Sequence, residues 1–111
     1  MNTVLLQGVL SSEPRVRELP SGSMLVSWEV TTESDGVRLS VPVVWFDPPA
    51  SGTEVHDGDE VVVLGEVRRR YFKTTTGTSS VTEVVVQKAA KATRARQAQA
   101  VLAAASDRLA G

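Results

Sequence analysis

Valine and alanine hardly mix in this chain. Of its 19 valines, 18 precede residue 88; of its 11 alanines, ten follow it, and Ala50 is the exception. Valine is β-branched and suits a pleated, half-buried surface, whereas alanine is the best helix former. The division predicts an all-β body over residues 1–88 and a helical segment over residues 89–111. At 111 residues there is room for one hydrophobic core.

Five strand-like runs fill the β body. The first is Thr3–Leu10, with Gly8 inside it, a residue that marks a bend or bulge. Glu13-Pro14 breaks it, Arg15-Val16-Arg17 reads as its resumption, and Pro20-Ser21-Gly22 is a turn. In the second run, Met24–Thr32, the residues Met24, Val26, Trp28 and Val30 alternate with Leu25, Ser27, Glu29 and Thr31, which places Trp28 in the core. Ser34-Asp35-Gly36 is a short hairpin turn. The third run, Val37–Phe46, contains Pro42, so it lies at an edge or is bulged there. Residues 47–59 are a loop whose prolines and glycines disfavour a helix of any length. The fourth run is Glu60–Lys73, Thr74–Ser80 is a flexible turn, and the fifth run is Val81–Gln87. Five short strands in this length suit a small barrel or sandwich, and a closed barrel removes exposed edges.

Several chemistries find no residues to carry them. There are no cysteines, hence no disulfide framework and no thiolate metal site. The one histidine, His56, stands in an Asp/Gly loop and reads as exposed rather than as a metal ligand. No nucleophile–base pair, phosphate-cradling glycine loop or carboxylate dyad is present, so no enzyme, no metal and no cofactor is expected. The N-terminus lacks the pattern of a signal peptide, and no apolar run is long enough to span a bilayer. A cytoplasmic protein with no membrane partner is expected.

The opening MNTVLLQGVLSSEPRVRELPSGSMLVSWEV carries Gly8-Val9-Leu10, Pro14-Arg15-Val16-Arg17 and Pro20-Ser21-Gly22 in order. The stretch DGDEVVVLGEVRRRYFKTTTGTSSVTEVVV adds a glycine-bearing valine strand, a basic-aromatic hairpin arm and a Thr-Glu-Val-Val-Val last strand. Over roughly residues 1–88 this order resembles the bacterial single-stranded DNA-binding proteins, in particular short, divergent paralogues of high-GC bacteria. The resemblance implies an all-β, five-stranded OB-fold barrel, ahead of the Ala-rich C-terminal α-helix that the composition predicts. It also implies a homo-oligomer (dimer or tetramer) and sequence-independent binding of single-stranded DNA in replication, repair and recombination, at the nucleoid. Three features depart from that family. The hairpin between the second and third runs shrinks to Glu33-Ser34-Asp35-Gly36 with no aromatic, the helix before the fourth strand is replaced by the 47–59 loop, and the chain ends in Ser106-Asp107-Arg108-Leu109-Ala110-Gly111 without an acidic tip. Recruitment of repair proteins through such a tip is therefore not expected.

The site candidates follow from alternation. Four of the five aromatics form two adjacent pairs, Trp45-Phe46 and Tyr71-Phe72, and neighbouring strand residues point to opposite faces. Each pair thus offers one outward ring on which a base could stack. The resemblance puts Trp45 and Phe72 at base-stacking positions; the competing reading is that Trp45 and Tyr71 fill barrel ends or an oligomer interface. Around the second pair, Arg68, Arg70 and Phe72 share one face of the arm and Arg69, Tyr71 and Lys73 the other. Cations interleaved with rings suit a phosphate backbone with splayed bases. Arg38, Arg15 and Arg17 are lone surface arginines and weaker candidates. Residues 1–88 hold eight Lys+Arg against twelve Asp+Glu, and residues 89–111 hold four against one. An acidic barrel with one basic arm is equally the composition of an OB-like protein-interaction module that has lost DNA binding. Thr3–Leu10 is apolar on both faces, Val4 and Leu6 on one and Leu5 and Val9 on the other, so one face calls for a second copy. In the last segment, Ala95, Ala98, Leu102, Ala105 and Leu109 form an apolar stripe at helical spacing, widened by Val101.

Overall fold

A computed structural model describes all 111 residues. Its strands are β1 (Val4–Leu10), β2 (Arg15–Glu18), β3 (Met24–Ser34), β4 (Val37–Phe46), β5 (Glu60–Thr74) and β6 (Gly77–Lys91), and one helix, α1 (Ala95–Ala110), follows. The order β1-β5-β6-β4-β3 closes on itself through antiparallel pairing of Val9 and Leu10 with Thr31 and Val30. All barrel pairings are antiparallel except that of β4 with β6, which run parallel and pair at Val43/Val84 and Val44/Val85. This is a five-stranded OB barrel with a C-terminal helix, the expected architecture. The sixth strand, β2, lies outside it along β3.

That sixth strand corrects the reading of Arg15-Val16-Arg17 as a resumption of the first run. After Glu13-Pro14 the chain does not rejoin β1. A turn closed by Gly22 N–H donating to the Leu19 carbonyl (2.9 Å) folds the segment back onto β3 as a hairpin. Two other boundaries move. The Thr74–Ser80 stretch is mostly ladder, with only Thr75-Thr76 between β5 and β6. The last strand continues through residues 89–91, so the helix begins at Ala95. The 47–59 loop contains one 3-10 turn, Ala50–Thr53, short enough to escape the proline argument. Pro42 sits where β4 pairs on the β3 side alone, as its missing N–H requires.

The core is built from one parity of each strand. Leu10, Val26, Trp28, Val30, Val43, Trp45, Val61, Val63, Val84 and Val86 fill the barrel, and Val55 of the 47–59 loop joins them. Trp28 and Trp45 meet edge to face, centroids 5.6 Å apart at 82°, an arrangement worth about 0.5–1.5 kcal/mol beyond burial. The helix packs outside the barrel, over Val62, Leu64 and Ala90, through Ala98, Val101 and Ala105. The expected stripe is therefore rotated. Val101 is 1% exposed, whereas Leu102 and Leu109 are 40% and 65% exposed. Ala98 and Ala105, seven residues apart, set a close approach to the sheet, and Val101, between them, is the larger side chain that fits beneath the axis.

The 47–59 loop is pinned to the segment after β1. Asp57 N–H donates to Glu13 (3.0 Å), the His56 ring lies 3.3 Å from the same carboxylate, and His56 N–H donates to Asp59 (2.9 Å). The Asp57 amide, then the His56 ring, holds the Glu13 carboxyl below its ordinary range. The His56 amide does the same for Asp59, helped by Lys91. A carboxylate whose folded pKa is depressed contributes stability above its unfolded value and loses it as the pH falls through the folded one. Hydrogen-exchange protection of the His56 and Asp57 amides is therefore expected to fall selectively below about pH 4. Protection that stays constant to about pH 2.5 would show that these carboxylates do not hold the loop.

Candidate nucleic-acid interface

Beyond its short parallel pairing with β4, β6 continues with β5 as a two-stranded arm. Arg68 lies opposite Glu83, Arg70 opposite Val81, Phe72 opposite Ser79, and the tip follows Thr74. Alternation carries Arg68, Arg70 and Phe72 onto the face that overlooks the outer surface of β3 and β4. Glu83 lies beneath the two arginines, 3% exposed. It accepts from Arg68 Nη2 at 2.7 Å and from Arg70 Nε at 3.3 Å. A carboxylate buried so deeply needs such partners. One acidic side chain thus fixes two guanidinium groups while neutralising only one of them. The remaining Arg70 N–H groups, on Nη1 and Nη2, form a fork that suits a phosphate.

Each guanidinium also stands over a ring. Arg68 lies 5.3 Å from the centroid of Phe46, and Arg70 lies 5.6 Å from that of Phe72. These distances are within cation–π range. Phe46 is 38% and Phe72 41% exposed, so each keeps surface for a base.

Two further arginines complete the surface. In β2, Arg15 pairs with Ser27 and Arg17 with Leu25, which puts both on the same outer face as Phe46. Neither makes an ion pair. A groove of about 570 Å³ runs between β2 and the arm, with Arg15, Arg17, Arg68, Arg70 and Phe46 along it and Glu83 on its floor. Four arginines against one carboxylate make this strip cationic on a body that is otherwise acidic.

The structure separates these candidate residues of the sequence into four groups. Arg68, Arg70 and Phe72 come together as alternation requires. Arg69, Tyr71 and Lys73 occupy the opposite face of the arm, with Tyr71 66% exposed and no ion pair to either cation. Arg38 stands outside the groove, eight residues from Phe46 along β4, beside Glu33 at 3.8 Å. Trp45 is corrected: it is 8% exposed and packs on Trp28, with Gly52 against its ring edge, so it offers no face to a base. The outward ring of that pair is Phe46.

Glu83 is a functional candidate that the sequence alone does not single out, while Phe46, offered there only as one ring of a pair, and Arg15 and Arg17, weaker candidates there, gain their place from the fold. The alternation Arg15-Val16-Arg17 signals two cations on one face, but the neighbouring face appears only once β2 is folded onto β3. No protein-family model matches the chain, and no curated protein matches it.

Proposed function

We propose that this protein binds single-stranded DNA without sequence preference, as an oligomer, and so protects strands exposed in replication, repair and recombination. The observation that carries the reading is the groove, where four arginines and the cation-backed Phe46 line one face, with Phe72 under Arg70 further along the arm. Guanidinium groups neutralise phosphates, and rings accept any base because every base has a π-face. Nothing in the groove presents a fixed donor–acceptor pattern that would select one base.

Titration of fluorescent oligo-dT at two salt concentrations tests this. Binding that weakens with salt at a log–log slope of roughly −2 to −3 is expected if each arginine meets one phosphate. Absence of binding at low salt would overturn the reading and favour a barrel that works through protein contacts.

The oligomer part rests on β1. That strand pairs with β5 from Val4 to Val9 but reaches β3 only at Val9 and Leu10. The other edge of Val4–Gly8 is therefore open. Val4 and Leu6 pack on the core, while Leu5 and Val9 remain 47% and 40% exposed. An open edge flanked by apolar side chains is a template for strand addition, and a second β1 supplies both the ladder and the apolar cover. Light scattering at micromolar concentration is expected to give at least a dimer, and Leu5→Glu a monomer with little loss of folding. A monomeric wild-type mass would contradict it.

A further inference from the structure

A second concavity lies beside the groove and shares with it only Phe46. It is a cleft of about 510 Å³ between the first half of α1, the β6 segment Val86–Ala89 and the loop after β4. That volume is within the range of small-ligand pockets. Its origin is the composition of the helix. Ala100 lines it with a single methyl group, so the flank of α1 facing β6 leaves space where a longer side chain would close on the barrel.

The lining is mixed in a particular way. Phe46 and Pro49 give flat apolar walls, Gln97 an amide, and Lys88 an ammonium group. Gln97 and Lys88 are exposed, and their side chains make no hydrogen bond or ion pair within the chain. The one carboxylate at the rim, Asp47, already accepts the Met24 N–H at 2.8 Å. A flat wall, an amide that both donates and accepts, and a free cation match a base with its attached phosphate. The amide can turn to meet any base edge, so the site needs no sequence preference.

We infer that this helix-side cleft holds one nucleotide of the strand that lies in the arginine groove, reached by passing over Phe46. The occupant is chosen by continuity: Phe46 lines both concavities, so a chain stacked on it has the cleft as its next surface. The helix then contributes directly to binding and not only to stability. The inference rests on the single-stranded DNA reading above and adds a subsite to it.

The test uses the full chain and oligo-dT of two lengths, about 4 and about 8 nucleotides, chosen around the smallest OB-fold site sizes. Ala100→Trp fills the cleft, and Gln97→Ala removes its amide without adding bulk. Both are expected to leave the short oligomer bound as in wild type. For the longer one, Ala100→Trp is expected to cost about tenfold, the equivalent of one stacking partner, and Gln97→Ala about threefold. A thermal melt shows whether the tryptophan has displaced the helix; if it has, Gln97→Ala alone decides. Wild-type affinity for both lengths in Gln97→Ala and in a folded Ala100→Trp would overturn the subsite while leaving the groove intact. Failure of the wild type to bind either length would instead remove the nucleic-acid reading itself.

Discussion

Gly65→Ala is expected to be the most damaging small substitution in this protein, lowering the melting temperature by roughly 10–20 °C, the equivalent of about 3 kcal/mol. A β-carbon at Gly65 would fall well inside van der Waals distance of the Val85 carbonyl oxygen and 2.9 Å from a Val84 methyl group. Neither can retreat. At this point β6 is paired on both sides, to Gly65 and Glu66 of β5 through Val86 and Val85, and to β4 through Val44. The β4–β6 ladder consists of only two residue pairs and is the barrel's one parallel pairing. The register shift between Leu64 and Gly65 falls at the same place. Gly22→Ala is the comparison. Gly22 has a positive φ of 90° but open space around its missing β-carbon, so alanine there costs only the left-handed penalty of about 1–2 kcal/mol. Equal melting temperatures for the two variants would show that the barrel tolerates displacement at the β4–β6 pairing.

The elements legible in the sequence are those specified by local chemistry. The β3–β4 hairpin is readable because Asp35 and Gly36 must both take positive φ, and they do, at 52° and 77°. The grouping of the arm residues is readable because strand alternation alone puts Arg68, Arg70 and Phe72 on one face and Arg69, Tyr71 and Lys73 on the other, but both faces carry arginine and a ring, so only the fold shows which one overlooks the barrel. In Val41-Pro42-Val43-Val44-Trp45-Phe46 both parities are apolar, so no pattern says which ring turns inward. The reason appears only in the fold. Val43 and Trp45 face the barrel, while Val44, 8% exposed, is covered on the outer side of the same strand. The helix misleads in a related way. Leucine spacing points to Leu102 and Leu109, but a sheet surface of Val62, Leu64 and Ala90 is met most closely by alanine with one valine between. The groove itself cannot be read from any window of the sequence, since Arg15 and Arg70 are 55 residues apart and meet only through β2, β3 and the arm.

The largest loss of binding is expected from Phe46→Ala combined with Phe72→Ala, about 2–6 kcal/mol at 1–3 kcal/mol for each base-stacking ring. The two rings are better targets than the arginines above them. Removing Arg68 or Arg70 would strip a partner from Glu83, which is 3% exposed, and an uncompensated buried carboxylate destabilises the fold in its own right. Phe46 and Phe72 are each about two-fifths exposed, so their truncation leaves the core untouched. Arg15→Ala with Arg17→Ala isolates the electrostatic part, since neither arginine has an ion-pair partner to strand. That pair is expected to flatten the salt dependence by roughly 1.4 in log–log slope, at about 0.7 for each phosphate that a single strand no longer has neutralised. Tyr71→Ala is the control, because Tyr71 projects from the opposite face of the arm with Arg69 and Lys73. If Phe46→Ala/Phe72→Ala binds oligo-dT like wild type while Tyr71→Ala weakens it, the strand lies on the far face of the arm, and the groove between β2 and β5 is not the binding surface.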